Sequence, residues 1–424
     1  MSPAGPGPRA PQRFATAPAI SRAPRALLVT LLLLLLWCPP AQALNDAQQL
    51  VVEAWRLVNQ SYVDPARFET VGWRRLRQKA LEQPISTYAE AHAAIEAMLR
   101  PLGDAYTRLL PPEDYRALRA TTRGSVCGVG LQLALRDEHI VVIAPLDGSP
   151  AAAAAISSGS EILRVDGQPA RDLGLEGTAA ALRGEAGTEV LLELRTAGDG
   201  AREVSLKRRN VDLQPVRQRL IRRGSRRIGY VRITQFSEPV PRQLEEVLSH
   251  LTADPDGGVD GLILDLRNNS GGLVEAGLAV ANDLLDGAPI VATIDRDGEA
   301  VEQQARPGLL YGGPMLTLVN GGTASASEIL AGALQDDGRS RLLGSRTFGK
   351  GLIQTLISLS DGSGLAVTVA RYETPGGRDI QNQGIEPDLL PDGPEPLDPG
   401  GDDDPWLQAA LELLSREGDL RESP

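Results

Sequence analysis

Cysteine and histidine are nearly missing from this chain of 424 residues. Two cysteines, Cys38 and Cys127, exclude a disulfide framework and a four-cysteine zinc site. Three histidines, His92, His139 and His250, leave little for a histidine-rich metal site or a histidine-based catalytic triad. Basic charge is not in excess either. With 43 basic against 55 acidic residues the net charge is −12, which argues against a general nucleic-acid binder. Apolar residues at 42% and charged residues at 23% exclude a wholly disordered chain and a multi-spanning membrane protein. Lysine is the scarcest basic residue, present only at Lys79, Lys207 and Lys350.

What is present begins with a leader. The first 45 residues hold four arginines (Arg9, Arg13, Arg22, Arg25) and no acidic residue. An apolar run at 26–38 follows, then Ala41-Gln42-Ala43. This reads as a signal peptide over residues 1–43. The run is shorter than the roughly 20 residues of a membrane span, so an uncleaved anchor is the lesser alternative. Leu35-Leu36-Trp37-Cys38 is a poor lipoprotein site, because Trp37 is too bulky beside the cysteine. Cleavage after Ala43 leaves an exported, acidic protein with Cys127 as its one cysteine.

Residues 44–118 read as helical: Leu50, Val51, Trp55 and Val58 share one helical face, and 89–99 is rich in Ala, Glu and Leu. Residues 119–208 carry short β-like runs at 130–135, 139–144, 161–165 and 190–194, with one short helix at 150–156. From 209 to 390 strands and helices alternate. Leu244, Val247, Leu248 and Leu251 mark a helix, 262–266 and 315–319 read as strands, 325–334 as a helix, and 352–359 with 365–370 as a hairpin. Residues 391–424 read as an acidic, Pro/Gly-rich tail with a short amphipathic helix near 406–414. The expected fold class is α+β multidomain, with a helical N-terminal region, a β-rich domain and an α/β domain of β-α repeats.

Three segments carry chemistry. Lys350 stands between two glycines in Phe348-Gly349-Lys350-Gly351, in a chain that otherwise uses arginine almost everywhere. Arginine keeps its proton near neutrality, whereas a desolvated lysine can lose it and act as a base. Asn320 to Glu328 joins a strand end to a helix start, where a serine meets free backbone N–H groups. Thr323, Ser325 and Ser327 each also suit a plain helix cap. The run Asp265-Leu266-Arg267-Asn268-Asn269-Ser270-Gly271-Gly272 lies at a second strand-to-helix junction, and its paired glycines permit close backbone approach. Residues 344–350 also match the start of a phosphate-binding loop. Gly351 stands where that loop needs Ser or Thr, and the following stretch is β-like, so a nucleotide site is strongly disfavoured.

Thr-Ala-Ser-Ala-Ser-Glu (323–328) followed by Phe-Gly-Lys-Gly-Leu-Ile-Gln (348–354) resembles the carboxyl-terminal processing peptidases, serine peptidases with a Ser–Lys dyad. The likeness extends to 265–272, Tyr372-Glu373-Thr374-Pro375, Gly384-Ile385-Glu386-Pro387-Asp388, 59–64 and Leu102 to Arg108, and so covers most of residues 45–390. Within the family it runs toward the cyanobacterial and chloroplast members that trim the photosystem II D1 precursor. The resemblance implies Ser325 as nucleophile and Lys350 as general base. It further implies Gln354 as the residue that positions the lysine, Asp336 as a supporting charge, and the N–H groups of Gly271 and Ala326 as the oxyanion hole. It makes 209–390 the catalytic domain and 119–208 a PDZ-like domain. In the latter, Gly128-Val129-Gly130-Leu131 would bind a peptide carboxylate. Family members often carry Gly-Asp where this chain has Gly159-Ser160-Glu161.

The implied partner is a protein substrate with a free C-terminal tail, the D1 precursor first, near a membrane surface, in a thylakoid lumen or a periplasm. No cofactor, metal or nucleic acid is implied, and the oligomeric state stays open. Two readings compete: a general periplasmic tail-specific protease, and a non-catalytic PDZ-type binding protein, which the presence of both Ser325 and Lys350 disfavours.

Overall fold

The computed structural model describes residue 7 and residues 44–422, except 137–138, 147–148, 158–159, 197–199, 213, 254–257 and 397–398. The leader expected at 1–43 therefore falls, apart from Gly7, outside the described residues.

The N-terminal region holds α1 (Asp46–Ser61), α2 (Pro65–Val71), α3 (Trp73–Leu81) and α4 (Tyr88–Leu99), then β1 (Arg108–Leu110) and α5 (Pro112–Thr122). On α1, Leu50, Val51, Ala54 and Val58 are buried as the spacing predicts, while Trp55 is only half-buried and stacks on Trp73 at 6.4 Å. Thr87 and Glu90 form a capping box that starts α4. These helices do not close a core among themselves. They share it with Leu359, Leu365 and Val367, which come from the far end of the sequence.

The β-rich module contains β2 (Ser125–Gly128), β3 (Leu131–Arg136), β4 (His139–Pro145), α6 (Pro150–Ala153), β5 (Glu161–Val165), β6 (Gln168–Pro169), α7 (Ala170–Leu182), β7 (Glu189–Arg195), β8 (Ala201–Lys207) and β9 (Arg209–Asp212). Its main sheet runs β3-β4-β5-β7-β8, with β6 on β5, and β2 pairs separately with β9. Sequence reading gave no helix over 170–182. Gly174 and Gly177 depress the propensity there, and Gly174 sits at φ +68° in a kink. At the unusual Gly159-Ser160-Glu161 step, Ser160 is buried with its hydroxyl 2.9 Å from that of Thr196, and Glu161 pairs with Arg195.

The last region holds β10 (Val216–Arg223), β11 (Arg226–Ile233), α8 (Val240–Thr252), β12 (Gly261–Asp265), α9 (Val274–Leu284), β13 (Pro289–Asp295), β14 (Ala300–Gln304), β15 (Met315–Val319), α10 (Ala326–Asp336), β16 (Arg341–Gly344), β17 (Leu352–Ser358), β18 (Gly364–Glu373) and α11 (Pro405–Glu422). One sheet runs β10-β11-β12-β15-β16, parallel from β11 onward. The central strands β12 and β15 are buried at every residue, as parallel strands covered on both faces must be. Helices α8, α9 and α10 contribute to the core on one face, while α11 supplies Trp406, Leu407, Ala410, Leu411 and Leu414 to the other. The tail helix is thus longer than the expected 406–414 and belongs to the core. The second sheet, β1-β18-β13-β14 with β17 on β18, is antiparallel and joins the N-terminal region to the hairpin that follows Lys350.

Candidate active site

Adjacent parallel strands β12 and β15 bring two loops side by side at their carboxyl ends, the usual position of a site in such a sheet. Hydrogen bonds lace the loops together. Ala324 N–H and Ser327 Oγ both donate to Asn269 O, at 3.0 and 2.9 Å. Thr323 Oγ1 donates to Leu266 O at 2.9 Å, and Asn320 and Asn268 exchange two bonds of 2.7 and 2.8 Å. The hydroxyls of Thr323 and Ser327, each a candidate helix cap, therefore bind the neighbouring loop.

Ser325 takes the N-cap position of α10 at φ +57°, ψ −120°, a conformation that costs a non-glycine residue roughly 1–3 kcal/mol. Such a sharp strand-to-helix turn presents a nucleophile beside the first helical N–H groups. The adjoining N–H is that of Ala326, the first residue of α10, which has no acceptor within its own helix. Gly271 closes the other side at φ +98°; a Cβ there would stand 2.7 Å from Ala324 O and 2.9 Å from Ser325 Cβ. Only glycine fits. Gly271 N–H donates to Asn269 Oδ1 at 3.0 Å, so this proposed oxyanion donor is held by an acceptor of its own loop.

The strain at Ser325 is held by Glu328, which sequence reading passed over. Its carboxylate is fully buried and accepts four bonds. Oε2 takes Ser325 N–H and Lys350 N–H, both at 2.9 Å, while Oε1 takes Thr347 Oγ1 at 2.6 Å and Gly349 N–H at 2.7 Å. One side chain therefore fixes the serine segment and the lysine segment together. A Ser-x-x-Glu spacing predicts a capping box, but nothing in it predicts the contacts to residues 347–350. Tyr372 repeats the link from the other side. Its buried hydroxyl lies 2.7 Å from Lys350 O and 3.1 Å from Ser325 O. Burial, and then the charge of Glu328, push that hydroxyl pKa well above its ordinary value.

Lys350 is partly buried, and burial holds its ammonium below the ordinary lysine pKa. The charge of Arg108 acts in the same direction, against Asp104 and Glu328. Its Nζ lies 4.8 Å from the Tyr106 ring centroid, and no side-chain bond joins it to Ser325 among the described residues. The loop bearing Tyr106 is itself pinned, because Asp104 accepts from Tyr106 N–H, Thr107 Oγ1 and Thr368 Oγ1. Thr368 pairs across the sheet with Gln354, which lies at a bulge in β17 with Nε2 buried and unpartnered. The structure thus gathers Ser325, Lys350, Ala326 and Gly271 around Glu328 and Tyr372, and places Gln354 four residues beyond the lysine. It does not bring in Asp336. That residue ends α10, about 15 Å along the helix from Ser325, where it pairs with Arg378 and accepts Gly376 N–H at 2.8 Å.

In the β-rich module, the carbonyls of Val129 and Gly130 in the 128–131 loop turn inward. They accept Ala151 N–H at 2.9 Å, Leu146 N–H at 2.9 Å and Ser149 Oγ at 3.2 Å. Beside this loop β3 is an edge strand, and α7 packs near it. An edge strand flanked by a helix is a place for an extended peptide to add to the sheet.

The fold joins this serine-centred site, of the kind a hydrolase uses, to a β-rich module with β3 at the edge of its sheet. Peptidase family S41 matches residues 227–390, and the PDZ domain matches 119–195. The chain is 44% identical over 399 residues to a carboxyl-terminal-processing protease of Picosynechococcus sp., covering 92% of this chain and 95% of that one. It is 40% identical over 383 residues to the chloroplastic C-terminal processing peptidase of Tetradesmus obliquus, covering 84% and 80%. A solved photosystem II D1 C-terminal processing protease superposes with a TM-score of 0.60 at 39% identity, covering 82% of this chain and 93% of that one. The chain belongs to peptidase family S41, alongside the carboxyl-terminal-processing proteases, and is a serine-type peptidase.

Proposed function

We propose that this peptidase removes carboxyl-terminal extensions from exported or lumenal proteins through an acyl-enzyme on Ser325, with Lys350 as base. The photosystem II D1 precursor is the expected substrate. The observation that carries the reading is the Glu328 carboxylate, which binds the backbone N–H of Ser325 and of Lys350 at once. In this account the PDZ-like domain (119–208) holds the tail and the catalytic domain (209–390) cuts it. Relatives named for chloroplasts and the D1 protease itself support a thylakoid-lumen setting.

In the proposed reaction, Lys350 leaves the Tyr106 ring and, as the neutral amine, takes the Ser325 hydroxyl proton. The oxygen attacks the scissile carbonyl. Its developing oxyanion meets Ala326 N–H and Gly271 N–H, the latter turning from Asn269 Oδ1. Lys350 then protonates the leaving amine and afterwards activates the water that releases the acyl group. Gln354 orients the lysine between these steps, its uncommitted Nε2 donating to the neutral amine and its Oε1 accepting from the ammonium.

Because Lys350 must be neutral, kcat/KM should rise with pH through its folded-state pKa, which burial sets below the ordinary lysine value. The sign for stability is the same. Between the folded and unfolded lysine pKa values the unfolded chain binds the extra proton, so folding gains stability as pH rises through that window. A pH–rate profile checks this; a flat one in single-turnover assays contradicts lysine as base.

Incubating the protein with a D1 carboxyl-terminal peptide and mapping the products by mass spectrometry tests the substrate. One specific cut at the mature terminus is expected, and no cut, or scattered cuts, would contradict it. Amidating the peptide's C-terminus removes the charge that the 128–131 loop would bind. At limiting concentration this should slow cleavage about tenfold or more. Gly130→Val should act in the same way, since a Cβ there meets Ser149 Cβ at 2.2 Å. Equal cleavage of acid and amide would refute carboxylate capture.

A further inference from the structure

We propose that Asp404, the residue that caps helix α11, is a positioning residue that fixes the 268–272 loop through Arg267. The proposal rests on the reading of Gly271 and Ala326 as the oxyanion hole. The segment from 391 on lies beyond the family match, which ends at 390, and its composition reads as an appendage. Its contacts are those of a core element.

The side chains of Arg267 and Asp404 are both fully inaccessible. Arg267 Nη1 and Nη2 donate to Asp404 Oδ1 and Oδ2 at 3.1 and 2.6 Å, a two-pronged pair. Its Nε and Nη2 donate to Asp265 at 2.9 and 2.6 Å. Asp265 is already shared, because it also accepts Tyr230 OH at 2.7 Å and lies 3.2 Å from Arg232 Nη1. A buried guanidinium needs acceptors on both edges, and among the described residues Asp404 supplies the second.

Asp404 has a second task. Its carboxylate accepts Trp406 N–H and Leu407 N–H, each at 3.0 Å, and Pro405 follows at the first helical position. Oδ1, which starts α11, also accepts Arg267 Nη1, so one carboxylate both caps the helix and orients the arginine. The next residue after Arg267 is Asn268, at φ +57°, and Asn269 follows with Oδ1 on Gly271 N–H and its carbonyl on Ala324 N–H. A shift of Arg267 is therefore transmitted within four residues to the proposed oxyanion donor. A merely structural helix would seal the sheet through Leu407, Leu411 and Leu414 without this polar connection.

Asp404→Asn keeps the shape and removes the charge. Its kcat on a free-acid tail peptide should fall about tenfold or more, with KM within about twofold, as expected for a small misplacement at the reacting centre. Amide hydrogen exchange across 268–272 should accelerate about tenfold while exchange across 128–131 is unchanged. Leu411→Ala loosens α11 through its apolar face alone; it should lower Tm and leave kcat within about twofold. The proposal is overturned if Asp404→Asn keeps kcat within twofold, or if Leu411→Ala loses as much kcat for an equal drop in Tm. Exchange measures the clamp independently of chemistry. Should the wild-type protein cleave no tail peptide, the proposed tail-processing function fails, while the 268–272 exchange still decides the role of Asp404. Where Asp404→Asn does not fold, Asp404→Glu retains the charge, displaces it by one methylene and carries the same expectations.

Discussion

Ser325→Ala should leave no measurable peptide hydrolysis, a loss on the order of 10⁴–10⁶-fold in kcat, and Lys350→Arg should lower kcat by about 10²–10⁴-fold. The arginine result is the more informative. Guanidinium keeps the positive charge and the length of the side chain but does not release a proton near neutrality. Any loss then belongs to proton transfer and not to a missing cation beside Tyr106. Both variants should keep the wild-type melting temperature to within a few degrees and bind a tail peptide as before, because neither changes the 128–131 loop. Steady-state kinetics with calorimetry on the same samples checks this; near-normal turnover by Lys350→Arg would take lysine out of the base role.

Glu328→Gln is the second large effect expected. The glutamate accepts four donors with two oxygens. A glutamine has one oxygen to offer and turns an amide N–H₂ toward two of those donors. Each buried donor left without an acceptor costs about 1–3 kcal/mol, so stability should fall by several kcal/mol. The left-handed turn at Ser325 then loses the bond to its N–H and relaxes, and kcat should drop about 10²-fold or more while KM changes little. Glu328→Asp should resemble it, since the shorter side chain does not reach both segments. Thermal unfolding together with kcat and KM separates the two losses. A variant that is destabilised yet turns over normally would show that Glu328 serves the fold alone.

The order of helices, β-rich module and alternating domain is legible in the sequence because each has its own period and punctuation. The strands of the parallel sheet read clearly: 262–266 and 315–319 are mostly apolar runs, and the structure buries every residue of 261–265 and 315–319. Ser325 and Lys350 stand out by motif, one at a strand-to-helix junction and one as a rare lysine between glycines. What could not be read was long-range pairing. Glu328 looks like a local cap until residues 347–350 fold back on it, and Tyr106 reaches Lys350 from a helical region 244 positions earlier in the chain. Helix α7 is hidden by its glycines, whereas α11 reads as a short helix near 406–414 and only its length and its place in the core are missed. Asp336 is the reverse case. The likeness of motif suggests a charge near the dyad, but a continuous helix from Ala326 carries it to the far end.

The most direct test is to catch the acyl-enzyme. A tail peptide ester mixed with the protein and quenched in acid at early times, then digested and analysed by mass spectrometry, should show an increment equal to the peptide's acyl portion. The increment should lie on the fragment containing Ser325, form more slowly in Lys350→Arg and be absent from Ser325→Ala. Turnover with no covalent species, or an adduct on any residue other than Ser325, would contradict the account.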